Sequence, residues 1–131
     1  MYEWLFAPPG SRPPQWDPQA AAERLQRAAT AGDSVVLLAR EDGAIVGICT
    51  TYLDLESVRF GRRAWVEDFA VHPERRSLGI GKRLLDAAKD WAREHGATHL
   101  ELDSGRARTD AHRFYERQGP SWSSVCFGWE L

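Results

Sequence analysis

Residues 71–85 read Val71-His72-Pro73-Glu74-Arg75-Arg76-Ser77-Leu78-Gly79-Ile80-Gly81-Lys82-Arg83-Leu84-Leu85. A β-branched and apolar run ends at Val71, a polar loop with two arginines follows, and from Gly79 onward the apolar period is helical. Ile80, Leu84, Ala88, Trp91 and Ala92 share one face, while Lys82, Arg83, Asp86, Lys89, Asp90 and Arg93 lie largely elsewhere. Gly96 stops the helix. A helix N-terminus offers unpaired backbone N–H groups and the positive end of the helix dipole. Gly79 and Gly81 keep side chains out of the way, so an anion can approach the backbone closely. Arg75, Arg76, Lys82 and Arg83 add positive charge nearby. The stretch therefore reads as a phosphate or pyrophosphate cradle. It is not a P-loop, which requires Gly at position 76 and Ser or Thr at position 83, where this chain has arginine twice. Nor is it a Rossmann fingerprint, which requires a third glycine where Leu84 stands and a tight turn directly after the strand.

On the N-terminal side of this stretch, Ala64 to Val71 reads as a strand. Before it, Ser34 to Arg40 and Ala44 to Leu55 flank Glu41-Asp42-Gly43, whose Asp-Gly pair supplies positive φ at a hairpin tip. These three strands form an antiparallel meander. Asp17 followed by Pro18 fits an N-cap with proline at the first helical position, and Ala21, Leu25 and Ala28 recur on one face until Gly32. Residues 1–18 are a proline-rich segment, read as loop with room for a short strand at Tyr2 to Phe6. On the C-terminal side, Thr98 to Asp103 reads as a short strand, Asp110 to Gln118 as a short helix stopped by Gly119, and Val125 to Leu131 as a last strand. A strand, helix, strand order in the middle demands a crossover, so those two strands should be parallel. The predicted fold is an α/β mixed sheet, antiparallel at the front and parallel at its core, in a single domain over residues 1–131.

Composition sets bounds on this reading. The chain has 131 residues, long enough for one core without disulfides or metal. Seventeen Lys and Arg against 19 Asp and Glu give a net charge of −2, which argues against a dedicated nucleic-acid binder. No apolar run approaches the roughly 18 residues of a membrane span. No signal peptide is visible, so no membrane association and a cytoplasmic location are expected. Cys49 and Cys126 are not expected to pair, since nothing suggests an oxidising compartment, and Cys126 reads as a buried small hydrophobe. His72, His95, His99 and His112 lack metal-ligand spacing, so no metal site is expected. Trp122, Phe127 and Trp129 read as core or as a dimer contact, and the pair Arg62 and Arg63 as a solvated face.

The spacing R-x-x-G-x-G after a strand ending in Val71-His72-Pro73 resembles the acetyl-CoA signature of the GNAT superfamily of N-acetyltransferases. Ala111-His112-Arg113-Phe114-Tyr115-Glu116-Arg117-Gln118-Gly119 resembles the later A-x-x-F-Y-E-x-x-G helix of the same family. The resemblance covers residues 34 to 131. It implies an acetyl-CoA-dependent acyltransferase whose pyrophosphate site is the loop Arg76, Ser77, Leu78, Gly79, Ile80, Gly81 and Lys82. It implies that the pantetheine arm pairs with main chain at Phe69, Ala70 and Val71, where that strand splays from the parallel one near Leu100 to Asp103. It implies that Tyr115 sits near the thioester sulfur as general acid, and that oxyanion help comes from a backbone N–H near Val71.

A base is also required, because an alkyl ammonium acceptor has a pKa near ~10 and is almost wholly protonated at pH 7. Strand alternation puts Trp65, Glu67, Phe69 and Val71 on one face and Asp68 on the other. The family often carries a base or acceptor contact on this strand, with Glu67 favoured and Asp68 second. The bland alternatives are a core role for Tyr115, and solvated carboxylates or ion pairs with Arg62 or Arg63 for Glu67 and Asp68. Two departures from the family pattern stand out. Its frequent Asn upstream of A-x-x-F-Y falls at Arg108, and its aromatic after glycine falls at Pro120. The front is short as well: ahead of Ser34 one helix fits and two do not, so a homodimer is one way to complete the acceptor wall. The expected activity is acetylation of a primary amine of a small molecule, to which the acidic Glu67, Asp68, Asp103 and Asp110 are suited. The alternative is an acetyl-CoA or CoA-binding sensor or interaction subunit without turnover.

Overall fold

The computed structural model describes all of residues 1–131. A four-residue helix α1 (Glu3–Phe6) and a longer helix α2 (Pro18–Thr30) precede the strands β1 (Ser34–Glu41), β2 (Ala44–Ser57) and β3 (Gly61–Val71). A 3-10 turn (Pro73–Arg75) leads to helix α3 (Ile80–Glu94), then strand β4 (His99–Glu101) and helix α4 (Thr109–Arg117). The sheet order is β1-β2-β3-β4; the first three strands are antiparallel neighbours, and β3 pairs with β4 in parallel. This is the expected mixed sheet.

The local causes are visible. The Asp17 carboxylate accepts from the Gln19 N–H at 2.9 Å, and Pro18 opens α2, as the cap chemistry requires. Asp42 and Gly43 both take positive φ at the β1–β2 turn. The apolar stripe of α3 buries Ile80, Leu84, Leu85, Ala88 and Ala92. Ile80, Leu84 and Ala88 close on Val46, Cys49 and Val66 of the sheet, with Phe69, Val71 and Leu100 packed around them. The core thus lies between α3 and one face of the sheet. At Gly47 a Cβ would stand 2.8 Å from Leu84 Cδ1 and 3.2 Å from Ile80 Cγ2. Gly47→Val is therefore expected to cost about 1–3 kcal/mol by overpacking, read as a lower urea midpoint with an unchanged slope.

Several local expectations are corrected. The alternation Tyr2, Trp4, Phe6 suggests a strand, but no sheet edge lies beside it. The segment instead makes one helical turn, bringing the Tyr2 and Phe6 rings within 6.4 Å and both onto Trp16. The front accordingly holds two helices rather than one, the first a single turn. Val125 to Leu131 forms no strand: β4 is paired over only three residues and offers no ladder to extend. Trp122, Phe127 and Trp129 are consequently exposed rather than core, as is Cys126. Arg63 is not a solvated cation, since it bonds Asp54 and lies 3.7 Å from Glu101.

The remaining correction concerns the face of β3. Thr50 pairs with Asp68 and Thr51 with Val66, so Glu67 is the extra residue of a β-bulge. The bulge shifts the alternation by one. Val66 and Phe69 both join the core under α3, and Asp68 turns to the opposite face, toward α1. Trp65, Glu67, Phe69 and Val71 therefore do not share one face. No helix is long and apolar enough to cross a membrane.

Candidate active site

The parallel pairing of β3 and β4 is brief. It joins Arg63 to His99, Ala64 to Leu100 and Trp65 to Glu101, and then β4 ends. β3 continues to Val71 without a strand on that side. Its main chain from Phe69 to Val71 therefore has no strand beside it on that edge, which leaves an opening past the end of β4. An edge with unpaired N–H and C=O groups can hydrogen-bond an extended amide-bearing ligand as a further strand would.

The cradle lies at the mouth of this opening. After the 3-10 turn the Arg76 Nε–H donates to the Val71 carbonyl at 3.3 Å, tying the loop to the strand end. Ser77 and Gly79 take positive φ of 63° and 80°, and α3 starts at Ile80. The first-turn N–H groups of α3 have no intrahelical partner. A Cβ at Gly79 would meet nothing within 4 Å, so the approach to those groups is open. Gly81 has a different role. A Cβ there would stand 3.3 Å from the Phe114 ring and 3.7 Å from Phe69, so its lack of a side chain lets α4 pack onto α3. Of the cations near the cradle, Arg75 is paired with Glu41 at 2.7 Å and Lys82 with Asp86 at 2.5 Å. Open backbone N–H groups, left-handed turns and flanking arginines suit a pyrophosphate.

Tyr115 approaches from α4. Its ring sits 6.1 Å from Phe69 and 5.3 Å from Phe114. Burial, then the neighbouring Cys49, pushes its pKa up to about 12. The hydroxyl has no hydrogen-bond partner in the protein, so it is a protonated, free donor at neutral pH. Glu67, projected by the bulge, has its pKa raised by partial burial first and then by the nearby carboxylates Asp68 and Asp103. Neither Glu67 nor Asp68 is paired with Arg62 or Arg63.

Asp68 is held rather than free. The Tyr2 hydroxyl donates to its Oδ2 at 2.8 Å and the Thr50 hydroxyl donates to the same oxygen at 3.0 Å. The Asp68 N–H in turn donates to Thr50 Oγ1 at 2.9 Å. Tyr2 is pushed up in pKa by burial and then by Asp68, so it remains a donor. Arg108 Nη2 donates to the Leu5 carbonyl at 2.6 Å, which fastens the start of α4 to α1. His72 accepts from the Glu74 N–H and His112 lies 3.3 Å from the Ser104 carbonyl, so both serve loop geometry. The sequence does not single out Tyr2 or Thr50, and it marks Arg108 only as a departure from the family pattern. Only the bulge register could have linked Thr50 to Asp68, and nothing local marks Tyr2.

A cleft of about 370 Å³ opens on the other side of the bulge, lined by Glu67, Asp68, Tyr2, Trp16, Tyr52 and residues of α2. A larger hollow at the opposite end of β3, around Asp54, Arg63, His99 and Trp122, is remote from the cradle.

Comparison with known proteins agrees with this layout. The sequence model described as "Acetyltransferase (GNAT) family" matches residues 1–119. The chain belongs to the GNAT acetyltransferase family. The match takes in α1 and α2, so the family likeness reaches further forward than Ser34, and it leaves the exposed tail outside. An uncharacterized N-acetyltransferase of Bacillus subtilis, YhdJ, is 36% identical over 112 residues, spanning 85% of this chain and 78% of its own. The aminoalkylphosphonate N-acetyltransferase of Salmonella typhimurium is 34% identical over 90 residues, 69% of this chain and 58% of that protein. Among solved structures, AAC(6')-Iy in complex with the bisubstrate analogue CoA-S-monomethyl-acetylneamine superposes with a TM-score of 0.80 at 17% identity, over 90% of this chain and 82% of that one. This GNAT protein is thus an acetyltransferase, and acetyl-CoA is its co-substrate.

Proposed function

We propose that this acetyltransferase acetylates the primary amine of a small molecule by direct transfer from acetyl-CoA. In this reading Arg76, Ser77, Leu78, Gly79, Ile80, Gly81 and Lys82 hold the pyrophosphate, largely through backbone N–H groups. The main chain of Phe69, Ala70 and Val71 holds the pantetheine arm. Acetyl-CoA supplies the acetyl group as an activated thioester. Glu67 takes the ammonium proton, directly or through water. The freed amine forms the C–N bond at the acetyl carbonyl as the C–S bond breaks. Tyr115 gives its proton to the departing sulfur, and a backbone N–H near Val71 steadies the carbonyl oxygen. Asp68, locked by Tyr2 and Thr50, raises the proton affinity of Glu67 and fixes the bulge.

The observation that carries this reading is that a carboxylate of raised pKa, Glu67 at the bulge of β3, lines a small cleft. A cleft of about 370 Å³ suits a small acceptor better than an extended peptide. The aminoalkylphosphonate specificity in the name of one relative supports the same acceptor class.

The test is thiol release from acetyl-CoA across a panel of small amines. Turnover of at least one is expected; free peptides acetylated in preference to every small amine would overturn the assignment. Glu67→Gln is expected to lower kcat/KM about 10²-fold at neutral pH. The sign of the pH dependence follows from the proton's destination. Only ionised Glu67 accepts a proton, so wild-type activity rises with pH through a limb above the ordinary value of 4.5. That limb should vanish from the Glu67→Gln profile.

A further inference from the structure

The acceptor cleft has a cation in its lining, at the margin of the apolar stripe of α2. Ala21, Leu25 and Ala28 of α2 stand at i, i+4 and i+7 and line the cleft, as an inward stripe should. Arg24, at i+3, borders that stripe; it is exposed to solvent and lines the cleft with them. Arg27, one turn on, is not among the lining residues. Arg24 is thus an exposed cation, but one placed at the rim of the cleft.

The charge is also unanswered. Arg12, Arg63, Arg75, Arg93 and Arg113 each hold a carboxylate. Arg24, like Arg27 and Arg40, holds none, and of these only Arg24 shares a cleft with Glu67 and Asp68. Opposite charges thus face one small space without closing on each other. The lining also includes Leu25, Ala28, Trp16 and Tyr52, which suit an alkyl chain.

Resting on the acceptor-site reading above, we infer that the acceptor carries an anionic group at the end away from its amine, and that Arg24 binds that group while Glu67 receives the amine. The ligand chemistry is a short aminoalkyl chain ending in a carboxylate or a phosphonate. A guanidinium pairs with either through two parallel N–H bonds, whereas an ammonium or a neutral tail gains nothing there. Asp68 is already engaged by Tyr2 and Thr50, which leaves Glu67 as the free anion for the amine end.

The test uses the whole protein and four amines of similar length: 4-aminobutanoate, 3-aminopropylphosphonate, n-butylamine and 1,4-diaminobutane. The readout is the ratio of kcat/KM for an anionic amine to that for n-butylamine, taken within each variant so that losses of folded protein cancel. The wild type should show a ratio of about 10 or more for at least one anionic amine, carried by KM. The ranking of carboxylate against phosphonate identifies which anion fits. Arg24→Gln should bring the ratio toward one, and Arg24→Glu should make 1,4-diaminobutane the preferred amine. Wild-type turnover of n-butylamine as efficient as that of both anionic amines would overturn the inference while leaving the amine acceptor intact. An Arg24→Gln variant that keeps the wild-type ratio, or loses all amines equally, would overturn it too and make Arg24 an internal counter-ion. Failure to acetylate any of these or the wider panel, with acetyl-CoA still bound, would instead strike the acceptor-site reading itself.

Discussion

Tyr115→Phe should lower kcat about 10²–10⁴-fold while leaving the KM of the amine and the binding of acetyl-CoA near their wild-type values. With its pKa pushed up to about 12, Tyr115 keeps its proton throughout the neutral range. A group that must donate to a departing thiolate has to hold its proton until the C–S bond breaks. No protein acceptor takes the hydroxyl, so its hydrogen is free to point into the opening between β3 and β4. The substitution removes one oxygen and leaves the ring among Phe69 and Phe114, so little stability should change. A purely packing tyrosine predicts the opposite pattern: turnover retained, with any effect confined to Tm. Stopped-flow measurement of thiol release at saturating amine separates the two outcomes. Unchanged kcat in the variant would remove Tyr115 from the reaction.

The fold was legible because its decisive signals are local. The α3 stripe, the Asp17-Pro18 cap and the Asp42-Gly43 turn each depend on a few neighbouring residues, and each is found where local chemistry puts it. The cradle is legible for the same reason, since loop, glycine and helix start are contiguous. What was not legible depends on partners distant in the chain. A strict period of two assigns Glu67 and Phe69 to one face, and only the pairing of Thr50 with Asp68 and Thr51 with Val66 shows that a residue has been inserted. Tyr2 reaches Asp68 across 66 positions and Arg108 reaches Leu5 across 103. The tail shows the converse error. Val125, Phe127, Trp129 and Leu131 alternate as a strand would, yet a strand needs an edge to pair with, and β4 offers one only three residues long. Periodicity reports what a segment could pair as, whereas the rest of the chain decides whether a partner exists.

The two glycines of the cradle look equivalent in the motif and are not equivalent in space, which changes how the cradle should be tested. A bulky residue at Gly81 meets the rings of Phe114 and Phe69, so Gly81→Trp would pry α4 from α3 and lose binding through misfolding. Gly79 has open space around it and a φ of 80°. Asn and Asp tolerate that left-handed conformation better than other side chains do. Gly79→Asp therefore places a carboxylate at the start of α3, where an anion would be bound, without a steric clash. The repulsion should weaken acetyl-CoA binding about 10- to 100-fold at low salt, and less as ionic strength rises. Gly79→Asn has nearly the same shape and backbone cost but no charge, so most of the affinity should remain. Calorimetric titration of acetyl-CoA into wild type and both variants reads this directly. Equal Kd for the Asp and Asn variants would mean that the pyrophosphate does not sit at the N-terminus of α3. A large gap that closes in high salt would place an anion there and, with it, the thioester end of the ligand in the opening beside Tyr115.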